Sequence, residues 1–112
     1  MSYTVGSLFA GIGGICYGFK QAGCEILWAN EIDKAASETY NHNFPEHNLI
    51  SDDIHNLKKP KDNGKVDIIT SGFPCQAFSN AGYKKGFDDP RGNLFFETAR
   101  FIKDIKPKAF LL

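Results

Sequence analysis

The sequence has no net charge, because its 13 lysines and arginines are matched by 13 aspartates and glutamates. That excludes a molecule-wide electrostatic attraction to nucleic acid, so any basic face has to be local. Cysteine is scarce: Cys16, Cys24 and Cys75 form no CxxC pair, and an odd number of thiols fits a reducing compartment better than a disulfide framework. The histidines His42, His47 and His55 do not stand at metal-ligand spacing with another ligand type, so no metal is expected. The longest apolar runs, such as residues 109–112, fall far short of the roughly 20 residues that cross a bilayer, and residues 1–4 carry no basic leader segment. These absences predict a cytoplasmic protein that does not enter a membrane. The remainder is ordinary. With 112 residues, 42% hydrophobic and 23% charged, the chain has the size of one domain and no room for a second.

Strand and helix patterns alternate along it. Residues 4–10 form a short apolar run that stops at Gly11, Ile12, Gly13 and Gly14, as a buried strand ending in a tight turn would. Ile15, Phe19 and Ala22 then recur at helical spacing, and Gly23 reads as a helix stop. Residues 25–30 predict a second strand ending at Glu31, after which Asp33 can cap a helix running to about Asn43 and closed by Phe44 and Pro45. Leu49 and Ile50 suit a short edge strand before a polar surface loop over 51–65. Residues 66–71 are β-branched through the centre and give the clearest strand, broken by Gly72 and Pro74. A long polar loop follows, and helical periodicity returns over 94–105 with Leu94, Phe95, Ala99 and Ile102. Residues 107–112 read as a last strand of core-like sequence, which predicts that something further should cover it. Such alternation predicts an α/β fold built of βαβ units on a parallel sheet.

Two constellations carry chemistry. The first joins the glycine turn at Gly11, Gly13 and Gly14 to Glu31, twenty positions after Gly11. Glycines let a backbone approach a ligand, and an acid ending the next strand can accept both hydroxyls of a ribose, so a nucleoside-containing cofactor is indicated. A purely structural turn is the alternative. Cys16 stands where GxGxxG would need its last glycine, so a pyrophosphate cradle at the helix start is poorly supported. The second is Gly72, Phe73, Pro74, Cys75 and Gln76, directly after the clearest strand and so at the edge where open α/β sheets bind ligands. Cys75 is placed like a nucleophile on a proline-stiffened mount, although a lone cysteine is as readily a buried one. Beyond it, Gln76, Ser79, Asn80, Lys84, Lys85 and Arg91 could meet phosphates and a base edge, or could be solvated surface offset by Asp88 and Asp89.

Taken together and in order, these segments, with Asp53-Ile54 and Arg91-Gly92-Asn93-Leu94-Phe95, resemble the first motifs of the DNA (cytosine-5) methyltransferases. The resemblance covers nearly all of the chain and about the first third of a typical family member. It implies a Rossmann-like S-adenosylmethionine-dependent methyltransferase fold, of which the first five strands are present. Phe9, Ala10, Gly11, Gly13 and Gly14 would line the methionine part of S-adenosylmethionine and Glu31 would hold its ribose. Ile32 and Ile54 would flank the adenine, Asp53 would take its amino group, and Pro74 and Leu94 would complete the wall. Cys75 would add to a cytosine flipped out of double-stranded DNA, with Gln76, Ser79, Lys84, Lys85 and Arg91 facing that DNA in a bacterial cytosol or nucleoid.

The family's glutamate-asparagine-valine motif, later arginine motif, target-recognition region and closing helix are not within these residues. The chain is therefore expected to be the amino-terminal part of a catalytic domain, a fragment or one half of a split enzyme completed by another polypeptide, with little turnover alone. A non-catalytic nucleoside-binding or interaction module is the alternative of a different class, and a piece of an NAD-dependent dehydrogenase is a third. The apolar final strand predicts association or poor solubility.

Overall fold

Where the sequence alternates apolar runs with turns, the backbone alternates strands with helices. A computed structural model describes residues 2–58, 66–73 and 93–112. In chain order the elements are β1 (Thr4–Leu8), α1 (Gly14–Gln21), β2 (Glu25–Asn30), α2 (Lys34–Asn43) and β3 (Leu49–Ile50). A single 3-10 turn (Ile54–Asn56), β4 (Ile68–Ser71), α3 (Asn93–Ile105) and β5 (Ala109–Leu111) follow. The strands form one sheet in the order β3-β2-β1-β4-β5, and every neighbouring pair is parallel. Because all five run the same way, the segments leaving β1, β2, β3 and β4 emerge on one edge. The order reverses beside β1, which opens a crevice at that edge.

Residues on successive strand positions point to opposite faces and bury two clusters. Val5, Ile26 and Ala29 pack with Cys16 of α1 and with Tyr40 and Phe44 at the end of α2. Leu8, Trp28 and Ile69 pack with Phe101 of α3 and with Ile54 of the 3-10 turn. Each such large side chain, fully withdrawn from water, contributes about 1.5–3 kcal/mol, so Ile54 fastens its turn to the core. A register shift between Val5 and Gly6 against β2 is the one irregularity in these strand pairings.

Several boundaries differ from the sequence reading. β1 ends at Leu8, not at Ala10, because Phe9 turns to a left-handed φ of 53°. β4 begins at Ile68 since Asp67 serves as a tie: its Oδ2 accepts the Thr4 N–H and its N–H donates to Thr4 Oγ1, each at 3.0 Å. α1 buries Cys16, while Ile15 and Ala22 stay exposed; on α3 the buried positions are Thr98 and Phe101, and Ala99 is exposed. The pattern read from the sequence is thus met in part: Phe19, Leu94 and Ile102 do pack against the core, and Cys16, Thr98 and Phe101 take the deepest places instead of Ile15, Ala22 and Ala99. The strand at residues 109–111, read as core, is exposed at Phe110 and Leu111. Asp33 does cap α2, accepting the Ala36 N–H at 2.8 Å, and Leu49–Ile50 does form an edge of the sheet.

Candidate functional site

The carboxyl edge gathers four chain segments. β1 hands over to Phe9, whose left-handed φ turns the backbone sharply, and Ala10 then returns its N–H to Asn30 O at 3.0 Å. The glycine turn is thereby hooked onto the end of β2. Gly11, at φ +60° with open space where a Cβ would stand, donates its N–H to Glu31 Oε1 at 2.9 Å. Glu31 Oε2 accepts the Asp33 N–H at 2.8 Å. The carboxylate is thus held by one backbone amide from each side, and its remaining lone pairs are available to a ligand.

Asn30, buried to 3% exposure, secures the third segment: its Nδ2 donates to Ile50 O at 2.7 Å and to Asp52 O at 2.8 Å. This draws the loop after β3 against the end of β2. Asp53 then caps the 3-10 turn, and Ile54 sends its side chain into the core while its backbone stays at the edge. The backbone N–H and then the ring of His55 hold the Asp53 carboxyl below the usual carboxylate range. Leu94, in the first turn of α3, closes the fourth side.

These segments enclose a cavity of about 130 Å³. Phe9, Ile32, Ile54 and Leu94 supply its apolar lining, and Asn30, Glu31, Asp52, Asp53 and His55 its polar groups. Six positions expected from the sequence to bind cofactor therefore meet here: Phe9, Glu31, Ile32, Asp53, Ile54 and Leu94. Asn30, Asp52 and His55 were not singled out for a cofactor. The signal for Asn30 was a buried amide at a strand end beside the acid; for His55 there was none, since its place depends on a fold-dependent contact with α3.

The glycines divide. Gly13, at φ +101°, lies where a Cβ would run into the Phe44 ring, so its lack of a side chain serves packing against the end of α2. With Gly14 it lines a separate groove of about 370 Å³ beside Ile12, Tyr17, Asn43 and Phe44, and neither lines the Glu31 cavity. Ala10 and Gly11 do not line that cavity either, and reach it only by the bonds of their amides to Asn30 O and Glu31 Oε1. Pro74, Cys75, Gln76, Ser79, Lys84, Lys85 and Arg91 lie outside the described residues. Among the described residues no group of three or more His, Cys, Asp or Glu could hold a metal ion, and no helix is long and apolar enough to cross a membrane.

The family described as C-5 cytosine-specific DNA methylase matches residues 3–112. The type II methyltransferase M.PspPI of Psychrobacter sp. (strain TA137) is 54% identical over 110 residues, which is 98% of this chain and 26% of that protein. Type II methyltransferase M.Bsp6I of Bacillus sp. (strain RFL6) is 53% identical over 110 residues, covering 96% and 34%. An Escherichia coli prophage protein, described as a candidate DNA modification methyltransferase, superposes with a TM-score of 0.78 at 31% identity over 95% of this chain and 30% of its own. The chain thus spans about a quarter to a third of the length of the curated relatives it matches. Its sheet has the Rossmann-like arrangement of S-adenosylmethionine-dependent methyltransferases, and the chain belongs to the C-5 cytosine-specific DNA methylase family.

Proposed function

We propose that these residues form the S-adenosylmethionine side of a DNA (cytosine-5) methyltransferase and carry its nucleophile, Cys75. The observation that supports this most is the cavity at the carboxyl edge, where an amide-anchored glutamate and a capping aspartate stand among four apolar residues. The chemistry of that set fits a nucleoside. Flat apolar walls suit a purine, Glu31 has acceptor capacity left for a ribose diol, and Asp53 stands at the ring edge. At about 130 Å³ the cavity suits the nucleoside end of the cofactor alone, since complete small-molecule sites run to roughly 300–1,000 Å³. The methionine part would extend along the amides of Ala10 and Gly11.

Bound S-adenosylmethionine would supply an electrophilic methyl group on its sulfonium. The protein's own part begins with Cys75, which follows Phe73 by two positions in the sequence. As a thiolate it would add to carbon 6 of a cytosine turned out of duplex DNA, pushing the ring electron pair to carbon 5, which then takes the methyl group. Loss of the carbon 5 proton to a base would restore the ring double bond and expel the Cys75 thiolate. Gln76, Ser79, Lys84, Lys85 and Arg91 would contact double-stranded DNA in this scheme. Turnover is proposed for the whole protein, with the regions of the longer relatives beyond the matched stretch supplied by continuous chain or by a complementary polypeptide.

Calorimetric titration tests the cofactor half of the reading: S-adenosylmethionine should bind and NAD should not, and tighter binding of NAD would replace this proposal with a dinucleotide site. Covalent trapping on DNA containing 5-fluorocytosine, in the presence of the completing regions, tests the other half. Cys75→Ser should abolish it, and trapping that survives the substitution would remove Cys75 from the mechanism.

A further inference from the structure

Asp53 is held from one side only. Its Oδ1 accepts two hydrogen bonds from His55, one from the backbone N–H at 2.9 Å and one involving the ring Nδ1 at 2.7 Å. An ionised carboxylate cannot donate, so the proton of the second bond resides on Nδ1. Its backbone is engaged separately, the N–H by Asp52 Oδ1 and the carbonyl by the Asn56 N–H, but no other bond to the Asp53 carboxylate is made among the described residues, which leaves Oδ2 as an uncommitted acceptor.

The imidazole is itself steered from α3. Its Nε2 stands 3.8 Å from Glu97 Oε1, and Glu97 Oε2 accepts from Arg100 Nε at 2.6 Å. The same guanidinium donates from Nη1 to Leu57 O at 2.9 Å and from Nη2 to Ile54 O at 3.0 Å, and lies over the Phe101 ring at 4.8 Å. Those carbonyls belong to the first residue of the 3-10 turn and to the residue that follows it, so the planar fork of Arg100 fixes the turn that carries His55 against α3. The ring, about half exposed, is thereby placed between two carboxylates at the lip of the cavity.

An oxygen that can only accept discriminates by chemistry. It pairs with an exocyclic N–H2 and opposes a carbonyl in the same place. We propose that His55 is a positioning residue that sets the nucleobase preference of this cavity: by occupying Asp53 Oδ1 it directs Oδ2 at the ring edge of the ligand, favouring a 6-amino purine over one without that donor. The inference rests on the reading of the cavity as the nucleoside end of an S-adenosylmethionine site and adds to it the group that decides which nucleoside enters.

The test pairs two ligands with three forms of the chain. S-adenosylhomocysteine and its analogue with hydrogen in place of the 6-amino group are titrated calorimetrically into the wild type, His55→Ala and His55→Asn. The wild type should prefer the amino ligand by roughly three- to tenfold, the worth of one hydrogen bond. His55→Ala should lose that preference by weakening the amino ligand alone, and His55→Asn, whose amide can still donate to Oδ1, should recover most of it. Thermal midpoints should stay level across the three, since the ring is a surface group. Equal losses for both ligands, no loss for either, or failure of asparagine to rescue would overturn the role of His55 while leaving the cofactor site standing. A wild type that binds neither ligand would overturn the cofactor site and this proposal with it.

Discussion

The Glu31 carboxylate and the Gly11 amide, twenty residues apart in the chain, meet at 2.9 Å. This bond makes the acid at the end of β2 and the glycine turn at the end of β1 one unit: anything that draws on the carboxylate also pulls on the loop. Replacing Glu31 with glutamine places an N–H2 where one oxygen accepted a backbone N–H, so one amide loses its acceptor. Glu31→Gln is expected to cost about 1–3 kcal/mol of folding stability and to lower S-adenosylmethionine affinity by roughly tenfold or more. Urea unfolding and calorimetry measure the two effects separately. Unchanged affinity in a folded variant would remove Glu31 from the ribose.

Gly13 makes a different expectation. Its φ of +101° disfavours any side chain, and a Cβ there would run into the ring of Phe44. Gly13→Ala should therefore destabilise the fold by about 1–3 kcal/mol through overpacking and backbone strain together. The thermal midpoint reads this directly. A neutral result would mean that the end of α2 yields at little cost.

His47 should make stability depend on pH. Its ring is 8% exposed, stacks on Phe44 at 4.8 Å and meets Tyr40 Oη at 2.9 Å through Nδ1. Burial pushes the Tyr40 hydroxyl far up, so Tyr40 keeps its proton and donates it, leaving His47 neutral with its proton on Nε2. Burial lowers the His47 pKa, Glu46 opposes this and Lys20 adds to it. A base whose folded pKa is depressed takes up its proton first in the unfolded chain. Stability from this group is thus complete above the ordinary value of 6.5 and declines as pH falls through it toward the folded value. Urea midpoints between about pH 8 and pH 5.5 should show the decline, and His47→Gln should flatten it. A slope of the opposite sign would contradict this account.

Much of the site was legible because it lies in local signals. Residues 25–30 read as a strand closed by an acid, Asp33 read as a cap, and both have those places. Of the six expected cofactor positions that surround one cavity, Glu31 is legible as the acid at a strand end, whereas Phe9, Ile32, Asp53, Ile54 and Leu94 are implied by the family resemblance alone. What the sequence hid depends on contacts between distant segments. Asp67 reads as part of a strand until Thr4 is seen to bind it. The helical faces are legible only in part, since Phe19, Leu94 and Ile102 face the core while Ile15 and Ala99 are apolar and yet exposed. The role of His55 depends on Glu97, 42 positions later in the chain, and no periodicity encodes that.

The strand order has a consequence for how the molecule is made. β1 lies in the middle of the sheet, paired with β2 through residues about twenty positions away, but also with β4, where Val5 meets Ile68. During synthesis the first pairing and the Glu31 lock can form early, while the other side of β1 must wait until residue 68 has emerged. Until then β1 exposes an unsatisfied backbone edge that any extended peptide could occupy. The reciprocal bonds between Thr4 and Asp67 sit at the start of that late pairing, so they act as the latch that ends a nascent chain's exposure to a wrong neighbour.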